Sequence, residues 1–161
     1  MIGYGKVYIG RPEETEAHIV EALRLSPRDR GDTLAYIWRN YTGIAKNHLG
    51  LWDQAVVWFR RAIEANRNIP HPHFVLGAAL AQLGRLDEAH SAVKAGLALN
   101  PGFTLSRARP LWTALSDDPT YLAGLEPVLE AMRARPESPN NDPPPAASPR
   151  SSRSTSSATP A

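Results

Sequence analysis

The chain has no cysteine anywhere in its 161 residues. That absence excludes disulfides, zinc–thiolate centres and thiol nucleophiles, and it makes a reducing, cytoplasmic compartment the expected one. No apolar run approaches the ~20 residues that a membrane-crossing helix requires. The opening "MIGYGKVYIGRPEE" holds no sustained apolar stretch either, so neither a membrane partner nor a secretory signal is expected. A dominant charge is also missing. Lys plus Arg number 18 against 16 Asp plus Glu, for a net charge of +2, and the basic residues are scattered. Nucleic-acid binding needs such residues clustered on one face, so no nucleic-acid partner is expected. Strand patterns are equally scarce; "KVYIG" alternates briefly but is short and has no partner.

Apolar residues are 42% of the chain, enough for a modest core. From Pro136 onward, "PESPNNDPPPAASPRSSRSTSSATPA" has no aliphatic side chain larger than Ala and no aromatic. Such a segment cannot bury enough surface to offset the entropy of ordering it. Residues 136–161 therefore read as a disordered Pro/Ser-rich tail, and 1–135 as the folded part.

The folded part reads as helices. Leu34, Ile37, Trp38, Tyr41, Ala45 and Leu49 recur at three- and four-residue spacing, and "WDQAVVWFRRAIEA", "LDEAHSAVKAGLAL" and "ETEAHIVEALRLSP" carry the same stripe. Asp118 followed by Pro119 is a helix start, after which Tyr121, Leu122, Leu125, Val128, Leu129 and Met132 line one face. Pro127 is expected to bend or interrupt that helix, and Pro110 to break the one before it.

The chain also repeats itself. "LGLWDQA" at residue 49 returns as "LGRLDEA" at residue 83, and a shift of 34 lays Gly43 on Gly77, Gly50 on Gly84, Ala55 on Ala89 and Ala62 on Gly96. Upstream, Gly3, Gly10 and Ala22 match Gly43, Gly50 and Ala62 at a spacing of 40, the extra residues falling in "SPRDRGDT". The units run about 1–27, 33–69 and 70–101, and 102–135 remains as a capping segment.

A fixed 34-residue period of paired helices resembles the tetratricopeptide repeat (TPR) family, over about residues 1–101. The resemblance rests on the small Gly of each first helix, "LG" at the turn, "DQA" and "DEA" opening the second helix, and "SP" or "NP" closing it. Departures are Thr15 in the place of Ala55 and Ala89, Arg39 and Thr42 where the family favours larger apolar residues, and a closing Pro delayed to Pro70. The implied fold is all-α, a short solenoid of antiparallel helix pairs with a capping helix over 118–134.

No pattern of chemistry survives comparison with this plainer reading. "GYGKVYIG" lacks the spacing and the Ser or Thr of a phosphate loop. "RGD" at 30–32 is a tripeptide that chance supplies often. His71 and His73, two residues apart, do not share a helix face, and His48 is expected far from them, so no metal site is expected. Asp117–Asp118 and Glu13–Glu14 are acids at helix starts, where the dipole favours them. No catalytic residues and no cofactor are expected, and the chain does not read as an enzyme.

The TPR resemblance implies that the leading helices line a concave groove for a protein or peptide partner. It places Tyr4, Val7 and Tyr8 of the first unit there, then Ile37, Asn40, Ile44, Asn47 and His48, then His71, Phe74, Ala78, Ala81 and Gln82. None is Lys or Arg, which disfavours a clamp for acidic C-termini. The expected function is a non-catalytic protein-interaction module. A narrower likeness gives an alternative: "RPEETEAHIVEALRLSPRD", "IEANRN" and "DPTYLAG" look like the TPR tails of bacterial class III adenylate/guanylate cyclases and of winged-helix regulators. In that case the chain is a regulatory C-terminal fragment of a bacterial signalling protein whose catalytic or DNA-binding domain is absent from it. In either case the truncated N-terminal edge is expected to meet an upstream domain or another copy.

Overall fold

Three glycines in equivalent places of the repeat, Gly10, Gly50 and Gly84, adopt the left-handed backbone with φ of 72°, 69° and 72°. At Gly50 the glycine N–H donates to the Asn47 carbonyl at 3.1 Å and the next N–H, of Leu51, donates to Lys46 at 2.9 Å. Gly10–Arg11 and Gly84–Arg85 repeat both bonds. This pattern ends a helix only through a left-handed residue, a conformation that costs roughly 1–2 kcal/mol once a Cβ is present. The repeated phrase in the sequence is therefore a repeated turn.

The computed structural model describes residues 5–25 and 32–133, and within them the protein is all-helical, with no strand. The helices are α1 (Gly5–Tyr8), α2 (Thr15–Leu25), α3 (Asp32–His48), α4 (Trp52–Ala65), α5 (Pro70–Gln82), α6 (Leu86–Leu99), α7 (Leu105–Thr113) and α8 (Pro119–Arg133), with a 3-10 turn at Pro12–Glu14. No described helix is long and apolar enough to cross a membrane. Tyr4, most of the RGD tripeptide and the segment 136–161 lie outside the described residues. The alternating "KVYIG" is helical through Tyr8.

Glycine also sets how closely the helices of a pair approach. A Cβ on Gly43 of α3 would stand 2.5 Å from Phe59 of α4, and one on Gly77 of α5 would stand 2.7 Å from Val93 of α6. These contacts are 34 residues apart on both sides and describe one packing solution used twice. Between the pairs lies a core of Ala55, Val56 and Phe59 from α4, Val75, Leu76, Ala79 and Leu80 from α5, and Ala89 and Ala92 from α6. The departures from the family pattern are absorbed locally. Thr42 is buried and returns its hydroxyl to the Trp38 carbonyl at 2.9 Å, and Arg39 donates to the Arg61 carbonyl at 3.2 Å. Thr15 is fully buried, with its Oγ1 unpartnered.

Two expectations fail. Pro110 does not break α7 and Pro127 does not interrupt α8; both helices continue through them. Each proline removes one bond to a carbonyl four residues back, and Ser106 and Ala123, which carry those carbonyls, are exposed residues, where solvent can satisfy the carbonyl in place of the missing donor. The segment 118–134, expected to cover the end of the stack, does not. Instead α8 lies against α3 and α5, and its Tyr121, Leu125, Val128 and Leu129 form a second core with Val7 of α1, Ala45 of α3 and Ala78 of α5. Its apolar stripe needs an apolar surface; α6 offers Asp87, Glu88, Ser91 and Lys94 to solvent, whereas the leading helices offer small side chains.

Because Gly43 and Phe59 touch, Gly43→Ala is expected to lower stability by about 1–3 kcal/mol. Denaturant unfolding of Gly43→Ala, Phe59→Leu and the double variant should show the pair losing less than the sum of the singles.

Candidate functional site

The inner side of the leading helices is where sequence reasoning placed a groove, and it holds α8. Tyr8, His48 and Gln82 occupy the same place in the three units, and each meets α8 at a successive point. The Tyr8 ring lies 5.4 Å from that of Tyr121. His48 stacks on Tyr121 at 5.2 Å and 22° and also lies against Gly124, where a Cβ would collide with its ring. Gln82 Nε2 donates to the Pro127 carbonyl at 2.6 Å. One helix is thus read across three helices, at residues 121, 124 and 127.

The other expected groove residues divide. Ile44 packs on both cores. Asn40 is buried, with Nδ2 at 3.4 Å from Nδ1 of His71, placed to donate to a neutral ring. Asn47, 5% exposed, borders the space beneath α8. Ala78 joins the second core, and Ala81 packs on the first. Ile37 is half-buried and belongs to neither core. Phe74 is buried rather than displayed beside Asn40: its ring fits against Gly96 of α6 and stacks on Phe103 at 3.8 Å, at the wall of a second hollow of about 380 Å3 bordered by His71, Leu111 and Trp112. Gly96 stands where the previous unit has Ala62, and the missing methyl makes room for the ring.

The fit of α8 is incomplete. A cavity of about 80 Å3 remains beneath it, bordered by Asn47, His48, His71, Trp112, Leu125 and Val128. His48 and His71, expected far apart, therefore border one space. Asn47 Oδ1 and His48 Nδ1 are buried without partners, as is Asn40 Oδ1. A buried polar atom left unpaired costs roughly 1–3 kcal/mol. Gly124 and Pro127 weaken α8 itself, by about 1 and about 3 kcal/mol relative to Ala in a helix interior. Against these stand four buried apolar side chains, of which Leu129 is fully enclosed. The joint to α7 is fastened by Ser116, which donates to the Tyr8 carbonyl, by Tyr121 Oη donating to the Trp112 carbonyl at 2.8 Å, and by Asp118 Oδ1 capping the N–H groups of Thr120 and Tyr121.

Burial pushes His48 and His71 down to about 4 from an ordinary 6.5, so both rings are neutral at pH 7. Burial also raises the Tyr121 phenol. Among the described residues, no group of His, Asp and Glu side chains is placed to hold a metal, and no Ser or Thr hydroxyl pairs with a histidine. The face presents aromatic rings, small apolar side chains and one amide aimed at a backbone carbonyl. The residues that sequence reasoning missed are those of α8, Tyr121, Gly124 and Pro127. Their signal was an amphipathic stripe interrupted by a glycine, which suits a helix crossing another closely. No family model and no curated protein matches the sequence.

The two lowered histidines make stability depend on pH. Their contribution is complete above the unfolded value of 6.5 and is lost as pH falls toward about 4, because the unfolded chain takes up the protons first. Each tenfold difference in proton affinity between the folded and unfolded chain corresponds to about 1.4 kcal/mol, and solvent screening reduces it, so a loss of about 2 kcal/mol is expected across that window. Denaturant titrations at several pH values should show it, and His48→Gln with His71→Gln should flatten the curve. Glu14, held down chiefly by Lys6, and Glu88, held down chiefly by Arg85, lose their own contributions only as pH falls below the ordinary carboxylate value of 4.5, at the acid end of this window and beyond.

Proposed function

We propose that the chain is a non-catalytic protein-interaction module of the TPR type, and that the inner side of α1, α3 and α5 binds an amphipathic helix of a partner protein. One observation carries this reading: the equivalent residues Tyr8, His48 and Gln82 already hold successive points of one helix, α8. The repeated glycine turns and the repeated Gly43–Phe59 and Gly77–Val93 contacts support the TPR comparison. The face has the chemistry of recognition, with apolar floor, aromatic walls and an amide that bonds backbone. It lacks Lys and Arg at the contacting positions, which argues against acidic termini as ligands.

A second reading, a regulatory fragment of a bacterial signalling protein, draws support from the first helix pair. Ile9, Val20 and Leu25 are 56%, 62% and 66% exposed there, an apolar surface suited to an attached domain.

Panning displayed amphipathic helices against the whole chain tests the main reading. Selected sequences should carry aromatic, small and apolar residues in the order of Tyr121, Gly124 and Leu125, and Gln82→Ala should weaken them by about two- to tenfold, the worth of one hydrogen bond. Binders indifferent to both Gln82→Ala and Tyr8→Ala would place the binding surface elsewhere.

A further inference from the structure

We infer that α8 is a reversible intramolecular ligand of the α1–α3–α5 face, and that an amphipathic partner helix bearing α8's inner pattern takes its place. The inference rests on the helix-binding reading above and adds what guards the site and what opens it.

The repeat core does not need α8. The cluster of Ala55, Val56, Phe59, Val75, Leu76, Ala79, Leu80, Ala89 and Ala92 comes wholly from α4, α5 and α6, and from α8 only Met132 touches its edge. What α8 covers is a floor of small side chains, Val7, Ala45 and Ala78, edged by the larger Tyr8, Ile44 and Trp112, the apolar and aromatic surface that a replacement helix would also have to cover. The outer side of α8 is polar, with Thr120, Glu126 and Glu130 exposed, and among the described residues its ion pair there is Arg109–Glu126, at 3.2 Å between exposed side chains. Such a pair contributes little. The helix is thus held by one stripe, by the Gln82–Pro127 hydrogen bond and by its joint, residues 114–118.

The same contacts describe the competitor. A partner helix needs an aromatic side chain over Tyr8 and His48, a small residue three positions later where it crosses His48, and apolar residues at the places of Leu125, Val128 and Leu129. It can improve on α8 in one respect. Asn47, 5% exposed and with Oδ1 unpartnered, borders the cavity under Leu125 and Val128. A hydrogen-bond donor carried there by the incoming helix would fill the space and satisfy that oxygen. Until then, the short joint keeps α8 at an effective concentration of about millimolar, which excludes a ligand of merely equal quality.

The test uses the full chain and a labelled peptide copying residues 118–133. Gly124→Val drives a side chain into His48 and should lift α8 from the face; Leu129→Asp should do so independently. Hydrogen exchange should show faster exchange across 119–133 while α3–α6 stay protected, and fluorescence anisotropy should show the peptide binding either variant at least about tenfold more tightly than wild type. His48→Cys with Gly124→Cys, in a chain otherwise free of cysteine, should admit the peptide when reduced and refuse it when oxidised. Loss of protection in α3–α6 together with α8 in both variants would make α8 part of the core and overturn the inference. Equal peptide binding by wild type and variants would overturn it too, while leaving the groove reading intact. Release of α8 without capture of the peptide would instead overturn the groove reading on which the inference rests.

Discussion

Everything in this protein depends on how closely the helices of each pair approach. Gly43 lets the Phe59 ring sit on the backbone of α3, and Gly77 lets Val93 do the same on α5. The two pairs share this contact and the same glycine turn, and α1 and α5 both lie against α3. That alignment brings Tyr8, His48 and Gln82 to one line across the molecule. Without it these residues would be unrelated points on separate helices.

The line is then used by the chain itself. A helix carrying Tyr121, Gly124, Leu125, Val128 and Leu129 crosses three others and finds small side chains to pack on, an imidazole to stack on and an amide that reaches its backbone. The docking is apolar at the centre and imperfect beside it, where Asn47 and His48 are buried with unpaired atoms around a cavity. Cores that serve stability alone rarely keep such groups. Thr15 Oγ1 and Trp38 Nε1 are also unpartnered, but only at Asn47 and His48 do such atoms border the cavity beneath α8, which is the physical reason for the proposal that this face binds a helix.

Much of this was legible in the residues. The extents of α4 and α6 and the turn glycines follow from periodicity and from matching the units at a fixed shift, because both reflect local geometry. What was not legible depended on size and on tertiary choice. Shifting by 34 makes Phe74 the equivalent of Asn40, yet Gly96 opens a hole that Ala62 does not, and the ring turns into its own pair. Pro110 and Pro127 are tolerated because the carbonyls they strand belong to exposed residues, a fact available only once burial is known. The stripe of α8 declared that the helix must bury one side but not against which neighbour.

The position of α8 is the claim on which the rest turns, and proton NMR reads it directly. Nuclear Overhauser cross-peaks are expected between the Gly124 α-protons and the His48 imidazole, and between the Leu129 methyls and those of Ala45 and Ala78. Their absence, with cross-peaks from α8 to the outer side of α6 in their place, would contradict it.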